Sequence, residues 1–256
     1  MTVKVRLNEL VAYLDELFDI SVWEPADSSL NGLQVEGAEA VERIGFAVDG
    51  CEQTFRMAVD SGAQMLVTHH GLFWGKPLAL VGHHLTRVKV LLDAGISLYN
   101  AHLPLDFHPQ IGHNAVIARL LDLETRGPLV EQSGLPIGTL AEAREPLALD
   151  EFVARIDKRL DTACRVLGFG PARVQKVGIV AGDGSKLLDE RLARRLDTFL
   201  TGEESHTLYH FAREFGINVI FAGHYATEVP GLMELASHLA GRFGLQTVFL
   251  PAPTGL

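Results

Sequence analysis

The sequence predicts an α/β fold made of two similar halves, and three observations carry that prediction. Short strand-like apolar runs alternate with stretches of helical periodicity along most of the chain. Segments of the first half recur in the second at a nearly constant offset. The length, 256 residues with 47% apolar and 21% charged, fits one large domain or two small ones with a sizeable core. It also argues against disordered and fibrous classes.

The elements follow in order. Leu7, Leu10, Val11, Leu14, Leu17 and Phe18 recur at helical spacing and predict an opening amphipathic helix. Asn31 to Gly37 reads as turn, short extended run, turn. A strand follows at Ile44 to Val48, a helix near Glu52 to Asp60, and a strand at Gln64 to Val67. Next come a helix near Leu85 to Asp93, a strand at Ser97 to Ala101 and a helix at about Asn114 to Leu121. The Gly- and Pro-bearing stretch Glu124 to Pro136 is the expected boundary, dividing the chain into residues 1–127 and 128–256. Strand and helix patterns then alternate, in largely parallel order, to a last strand at Gln246 to Leu250 that can pack back on the first half.

The repeat is weak but in register. Ile44-Gly45-Phe46 matches Val177-Gly178-Ile179, and Leu66-Val67-Thr68 matches Phe199-Leu200-Thr201, both at an offset of 133. Leu98 to His102 matches Ile220 to His224 at an offset of 122, with the longer loop Gly71 to Val81 absorbing the difference. Duplication explains a shared offset better than generic patterning does. In open parallel sheets ligands bind beyond the carboxyl ends of strands. At those ends stand His69-His70 and His102 in one half, and Gly202-Glu203-Glu204 and His224 in the other.

Histidine is the uneven entry in the composition. Seven of the 11 lie between His69 and His113. Imidazole with carboxylate is a ligand set for zinc, manganese, iron, cobalt or nickel. His102 and His224 each have a carboxylate four positions on, Asp106 and Glu228. Glu228 shares a face with His224 if a helix starts there, whereas Pro104 makes the Asp106 segment a loop. His102 stands open between ligand, support of a ligand and substrate contact. Surface or capping roles are expected for His83 and His84, structural roles for His108 and His113, and a solvated surface for His238. His206 and His210 are read as neighbours on one helix, open between ligation and a solvated face.

Several classes of function recede. The net charge of -10 disfavours nucleic-acid binding. Cys51 and Cys164 form no C-x-x-C, so neither a disulfide framework nor a thiolate zinc site is expected. The charged N-terminal stretch lacks the apolar core of a signal peptide, and no run is long enough to span a membrane, so a cytoplasmic protein is expected. Gly182-Asp183-Gly184-Ser185-Lys186 misses the phosphate-loop spacings and reads as a tight turn. There is no G-x-S-x-G elbow. Trp23, Phe73 and Trp74 are read as core or pocket-wall packing rather than base stacking.

Five segments occur in order: Asn31-Gly32-Leu33-Gln34-Val35-Glu36-Gly37, Thr68-His69-His70-Gly71-Leu72-Phe73-Trp74, His102-Leu103-Pro104-Leu105-Asp106, Thr201-Gly202-Glu203 and Ala222-Gly223-His224-Tyr225-Ala226-Thr227-Glu228. Together they resemble the GTP cyclohydrolase 1 type 2 homolog family (NGG-one-interacting-factor-three-like), in its compact bacterial form. The resemblance implies two similar α/β halves with a metal site in the cleft between them. It implies that His69, His70, Asp106, His224 and Glu228 hold two divalent metal ions, and that the chain assembles as a toroidal homohexamer with those sites facing an internal cavity. Glu204 and His206 follow Glu203 where the family varies, which leaves the chemistry around the ligands open.

The implied activity is metal-dependent hydrolysis of a small, nucleotide-like molecule by a metal-activated water. His102 or Glu203 would transfer the proton, and Asp106 or Glu228 would bridge the metals. Nothing in the residues selects GTP. The competing reading is a non-catalytic metal-binding, metal-delivery or scaffold protein.

Overall fold

In the computed structural model, which describes residues 3–256, the opening helical periodicity becomes β1 (Val5–Arg6) and α1 (Leu7–Leu17). Leu7, Leu10 and Leu14 of α1 are buried at intervals of three and four, as one face of a helix requires. Met1 and Thr2, at the head of the charged N-terminal stretch, lie outside the described residues. There follow α2 (Ile20–Trp23), β2 (Gly32–Val35), β3 (Ala40–Val41), β4 (Arg43–Asp49), α3 (Glu52–Ser61), β5 (Met65–His70), α4 (Gly82–Ala94), β6 (Ser97–Asn100) and α5 (Leu103–Asp106). Gly62 and Gly95 end α3 and α4 in the left-handed region, φ 70° and 64°, the conformation a helix C-terminus favours and glycine adopts without strain.

The chain divides into two units. One comprises the residues up to His108 together with Leu232–Ala252; the other comprises Pro109–Gly231 and Pro253–Leu256. In the second unit lie α6 (His113–Leu120), β7 (Glu124–Gln132), β8 (Leu135–Ala148), α7 (Leu149–Leu160), β9 (Arg165–Gly168), β10 (Arg173–Val180), α8 (Glu190–Ala193), β11 (Thr198–Thr201), α9 (Leu208–Phe215), β12 (Asn218–Phe221) and α10 (His224–Thr227). Then α11 (Pro230–Phe243) leads to β13 (Gln246–Phe249).

The expected division at 127/128 falls inside β7 and is corrected by the structure. Ser133 and Gly134 have φ of 53° and 80°. They are a two-residue hairpin turn between β7 and β8, not a linker. Such a turn with both residues at positive φ matches the twist of paired strands. The division lies earlier, before α6, because Ile117, Ala118 and Leu121 pack in one core with Phe152, Ile156, Val177 and Ile179.

The first unit has a sheet in the order β13-β4-β5-β6-β2. Its four strands β13, β4, β5 and β6 run parallel, and β2 is antiparallel to β6 at the edge. Ile44 faces Met65, and Met65 faces Ser97, so the parallel strands start level; β4 and β5 finish together at Asp49 and His70, while β6 ends at Asn100 opposite Thr68. The last strand predicted, Gln246 to Leu250, pairs with β4. Met65 to His69 are buried, as a central parallel strand covered on both faces requires. The sheet of the second unit runs β7-β8-β10-β11-β12-β9. There β10, β11 and β12 are parallel, with antiparallel strands on both sides. The fold is thus α/β as expected; the first sheet is largely parallel, as predicted, whereas the second is mixed, with antiparallel strands flanking its parallel centre. Both contain three consecutive parallel strands followed by one antiparallel edge strand. No helix of the described residues is long and apolar enough to cross a membrane.

Candidate metal centre

In the first unit, parallel pairing brings Asp49, His70 and the residues after Asn100 to one end of the sheet. His69 is fully buried, and its Nδ1 lies 3.0 Å from the carbonyl oxygen of Ala101. A carbonyl can only accept, so Nδ1 carries the proton and Nε2 keeps the lone pair. That Nε2 lies 3.7 Å from Asp106 Oδ2. His70 Nδ1 is 2.9 Å from Asp49 Oδ1, and His102 Nδ1 is 2.9 Å from Asp27 Oδ1. A ligand nitrogen from each of His69, His70 and His102 lies within 4.8 Å of the other two.

The motif Asn31-Gly32-Leu33-Gln34 holds this end of the sheet together. Asn31 Oδ1 accepts the backbone N–H of His102 at 2.7 Å, and its Nδ2 donates to Asp27 Oδ2 at 2.8 Å. Gln34 Oε1 accepts the N–H of Leu72 at 2.7 Å, and its amide fills the space that a Cβ on Gly71 would need. Asp27, which also accepts from Ser29 and Leu103, is almost wholly buried. Burial acts to raise its pKa, but the hydrogen bond and charge of His102, with help from Asn31 and Ser29, hold it below the usual carboxylate value.

Asp106 corrects one expectation. Leu103–Asp106 is a helical turn, not a loop, with the Asp106 N–H donating to the His102 carbonyl at 3.1 Å. Pro104 stands in the first turn, where its missing N–H has no partner to lose. The carboxylate is buried.

In the second unit, β10, β11 and β12 end level, Val180 facing Thr201 and Thr201 facing Phe221. His224 opens α10 just beyond. Its Nδ1 is 2.6 Å from Glu203 Oε1 and its Nε2 is 2.9 Å from Glu228 Oε1. Glu228 follows that helical turn, as expected, and is buried. Burial acts to lower the His224 pKa, but the hydrogen bonds and charges of Glu228 and Glu203 prevail and push it up to about 9.

Gly182 is a site residue that sequence reading treats only as part of a tight turn. It has φ 63°, and a Cβ there would overlap Glu228 Oε1 and stand 3.3 Å from His224 Nε2. Thr201 Oγ1 accepts the Gly184 N–H at 2.9 Å, and Thr227 Oγ1 accepts the Gly182 N–H at 3.0 Å. The threonines of the two motifs therefore clamp the glycine turn against Glu228. A Cβ on Gly202 would stand 2.7 Å from Thr227 Oγ1 and 2.8 Å from the His224 Cα. An open cavity of about 680 Å³ lies beside this cluster, its walls including Arg165, Glu203, Tyr225 and Leu256.

The other histidines separate from these clusters to different degrees. His83 and His84 lie side by side near the start of α4, 3.9 Å between ring centroids with the rings tilted by 41°. His108 packs edge-on against Phe18, and burial lowers its pKa. His113 is fully buried at the start of α6, where its Nδ1 accepts the Gly231 N–H at 3.0 Å. His206 precedes α9 rather than sharing it with His210, and both are exposed. Glu204 is exposed and forms an ion pair with Arg165. His238 is half-buried rather than solvated, 2.5 Å from the Tyr13 hydroxyl. Both cysteines are free thiols, and burial, with Asp157 beside it, raises the pKa of Cys164.

The two clusters fit divalent cations on the chemistry of their donors. Imidazoles whose Nδ1 is held by a carboxylate or carbonyl, leaving Nε2 as the ligand atom, are the arrangement metal-binding histidines adopt. Buried carboxylates stand beside them. Sequence reading misses Asp27 and Asp49, which carry no spacing signal and become visible only when the strands pair.

Residues 5–254 match the family model described as Duf34/NIF3 (NGG1p interacting factor 3). A protein named GTP cyclohydrolase 1 type 2 homolog from Deinococcus radiodurans is 44% identical over 253 residues, covering 99% of this chain and 95% of its own. One of the same name from Pyrococcus abyssi is 41% identical over 97% of this chain and 99% of its own. The crystal structure of TTHA1606 from Thermus thermophilus superposes with a TM-score of 0.89 at 42% identity, covering 98% of this chain and 100% of that one. With a match along nearly its whole length, and relatives above 40% identity, this chain belongs to the Duf34/NIF3 family.

Proposed function

We propose that this protein is a metal-dependent hydrolase of a small, nucleotide-like substrate, with His69, His70, Asp106, His224 and Glu228 as ligands of two divalent cations. The observation that carries the reading is the way its ligand histidines are held. In His69, His70 and His224 Nδ1 is fixed by an oxygen, which makes Nε2 the atom each would turn to a cation, at His224 after giving up the proton shared with Glu228. The names of the relatives support the choice of substrate class, and the cavity beside Glu203 has room for a small molecule.

Bound divalent cations supply Lewis acidity and lower the pKa of water. The chain supplies the rest. Asp49, Asp27 and Glu203 orient His70, His102 and His224. Glu203 keeps its side chain 47% exposed, so it can exchange a proton with solvent while it holds His224. His102, tied through Nδ1 to Asp27, is the candidate proton carrier in the first unit. By family resemblance the chain assembles as a homohexamer, which light scattering tests directly.

The deciding experiment is metal analysis of protein purified without added metal, followed by incubation of that sample with GTP and related purines. Ring-opened or hydrolysed product, abolished in His69→Ala and Glu228→Ala, is the expected result. Metal that exchanges readily, with no turnover across the panel, would mean a metal-binding or delivery protein instead.

A further inference from the structure

We propose that Trp74 is a substrate-stacking residue, its partly exposed indole receiving the planar heteroaromatic ring of the ligand. This rests on the hydrolase reading above and specifies how its substrate is recognised. Trp74 ends the motif that begins with His69 and His70. Its ring centroid lies 4.9 Å from that of His102, edge to face, and 5.9 Å from that of His70.

The indole is held still. Its Nε1 donates to the Gly71 carbonyl at 3.0 Å, and its backbone forms an antiparallel bridge with Ser29. The preceding residues anchor the loop: Leu72 is buried, and Phe73 packs against the same core as Phe55 and Leu98. A tryptophan used for packing alone is mostly buried, as Trp23 is against Phe107. Trp74 instead remains 37% exposed. Because its N–H is satisfied within the loop, what it offers a ligand is an aromatic face. A fixed, partly exposed indole beside a candidate ligand cluster suits the stacking of a purine or similar ring.

The test uses the full-length, metal-loaded protein and two probes, GTP and inorganic tripolyphosphate. The second offers phosphate to the cations but has no ring. Trp74→Ala is expected to weaken GTP binding on the order of tenfold while leaving tripolyphosphate binding and metal content unchanged. Trp74→Phe should restore most of the loss. In Trp23→Phe, where Trp74 is the single tryptophan, GTP should quench the fluorescence and tripolyphosphate should not. This readout leaves the site intact and does not depend on how the alanine variant folds.

Equal GTP affinity in wild type and Trp74→Ala, or an equal loss of both probes, overturns the stacking role and leaves the hydrolase reading standing. Wild-type protein that binds tripolyphosphate but no purine overturns both the nucleotide reading and this inference.

Discussion

Asp49 and His70 occupy facing positions on the parallel strands β4 and β5, and the His70 Nδ1 lies 2.9 Å from the Asp49 Oδ1. The register of the sheet thus has a chemical consequence. It places an acceptor that determines which imidazole nitrogen keeps its lone pair. Asp49→Ala should lower metal affinity by about 10- to 100-fold, the usual consequence of removing a partner that orients a ligand. The Asp49 side chain is 36% exposed, so the fold should survive the change with only a small loss of stability. Equilibrium dialysis with metal analysis, alongside thermal unfolding, separates the two effects.

Asp27 is the opposite case. Its carboxylate is 1% exposed and accepts from Ser29, Asn31, His102 and Leu103. Asp27→Ala leaves several buried donors without an acceptor, and should cost about 3 kcal/mol in denaturant unfolding as well as metal affinity. The sign of its pH dependence follows from a folded-state pKa held below 3.8. The contribution is present above the unfolded value and is lost as pH falls through the folded one. Wild-type protein should therefore lose stability in acid more steeply below about pH 4 than Asp27→Ala does.

The α/β class, the strands ending in His69-His70 and the position of Glu228 are all legible in one dimension. Short-range periodicity encodes strands and helices, and a spacing of four encodes a shared helical face. The longer-range relationships are not. Asp27 and Asp49 stand 75 and 21 residues from the histidines they hold, so no local pattern announces them. The β7–β8 hairpin reads as a linker because Arg126-Gly127-Pro128 and Ser133-Gly134 are turn chemistry wherever they occur. Only pairing across the hairpin shows that the first group lies within a strand and the second at its tip. Pro104 misleads in the same way, since proline breaks a helix in its middle but not in its first turn.

Gly182 and Gly62 both adopt the left-handed region, with φ of 63° and 70°, but their surroundings differ. A Cβ on Gly62 meets nothing within 4 Å, whereas one on Gly182 overlaps the Glu228 carboxylate. Alanine at either position should destabilise the protein by roughly 1–2 kcal/mol, the cost of the left-handed conformation. Only Gly182→Ala should also displace Glu228 and lose metal. Unfolding and metal titration of the two variants side by side isolate the carboxylate's role from the backbone penalty. Equal metal affinity in both would show that Glu228 can move aside without consequence.

His224 couples the second cluster to pH. In metal-free protein its pKa is raised from 6.5 to about 9, because two carboxylates flank an imidazole that burial alone would keep neutral. A folded-state pKa above the unfolded one means that the stabilisation is complete below pH 6.5 and fades as pH rises through about 9. Metal-free protein should therefore become steadily less stable across that window. Glu228→Gln removes the largest favourable partner and should flatten the slope. A cation must displace this proton to use Nε2, so apparent metal affinity should rise across the same window and level off above it. Isothermal titration in buffers of different ionisation enthalpy reads the displaced proton directly. At about pH 7.5 it should report close to one proton released per site for this residue in wild type, and markedly less in Glu228→Gln.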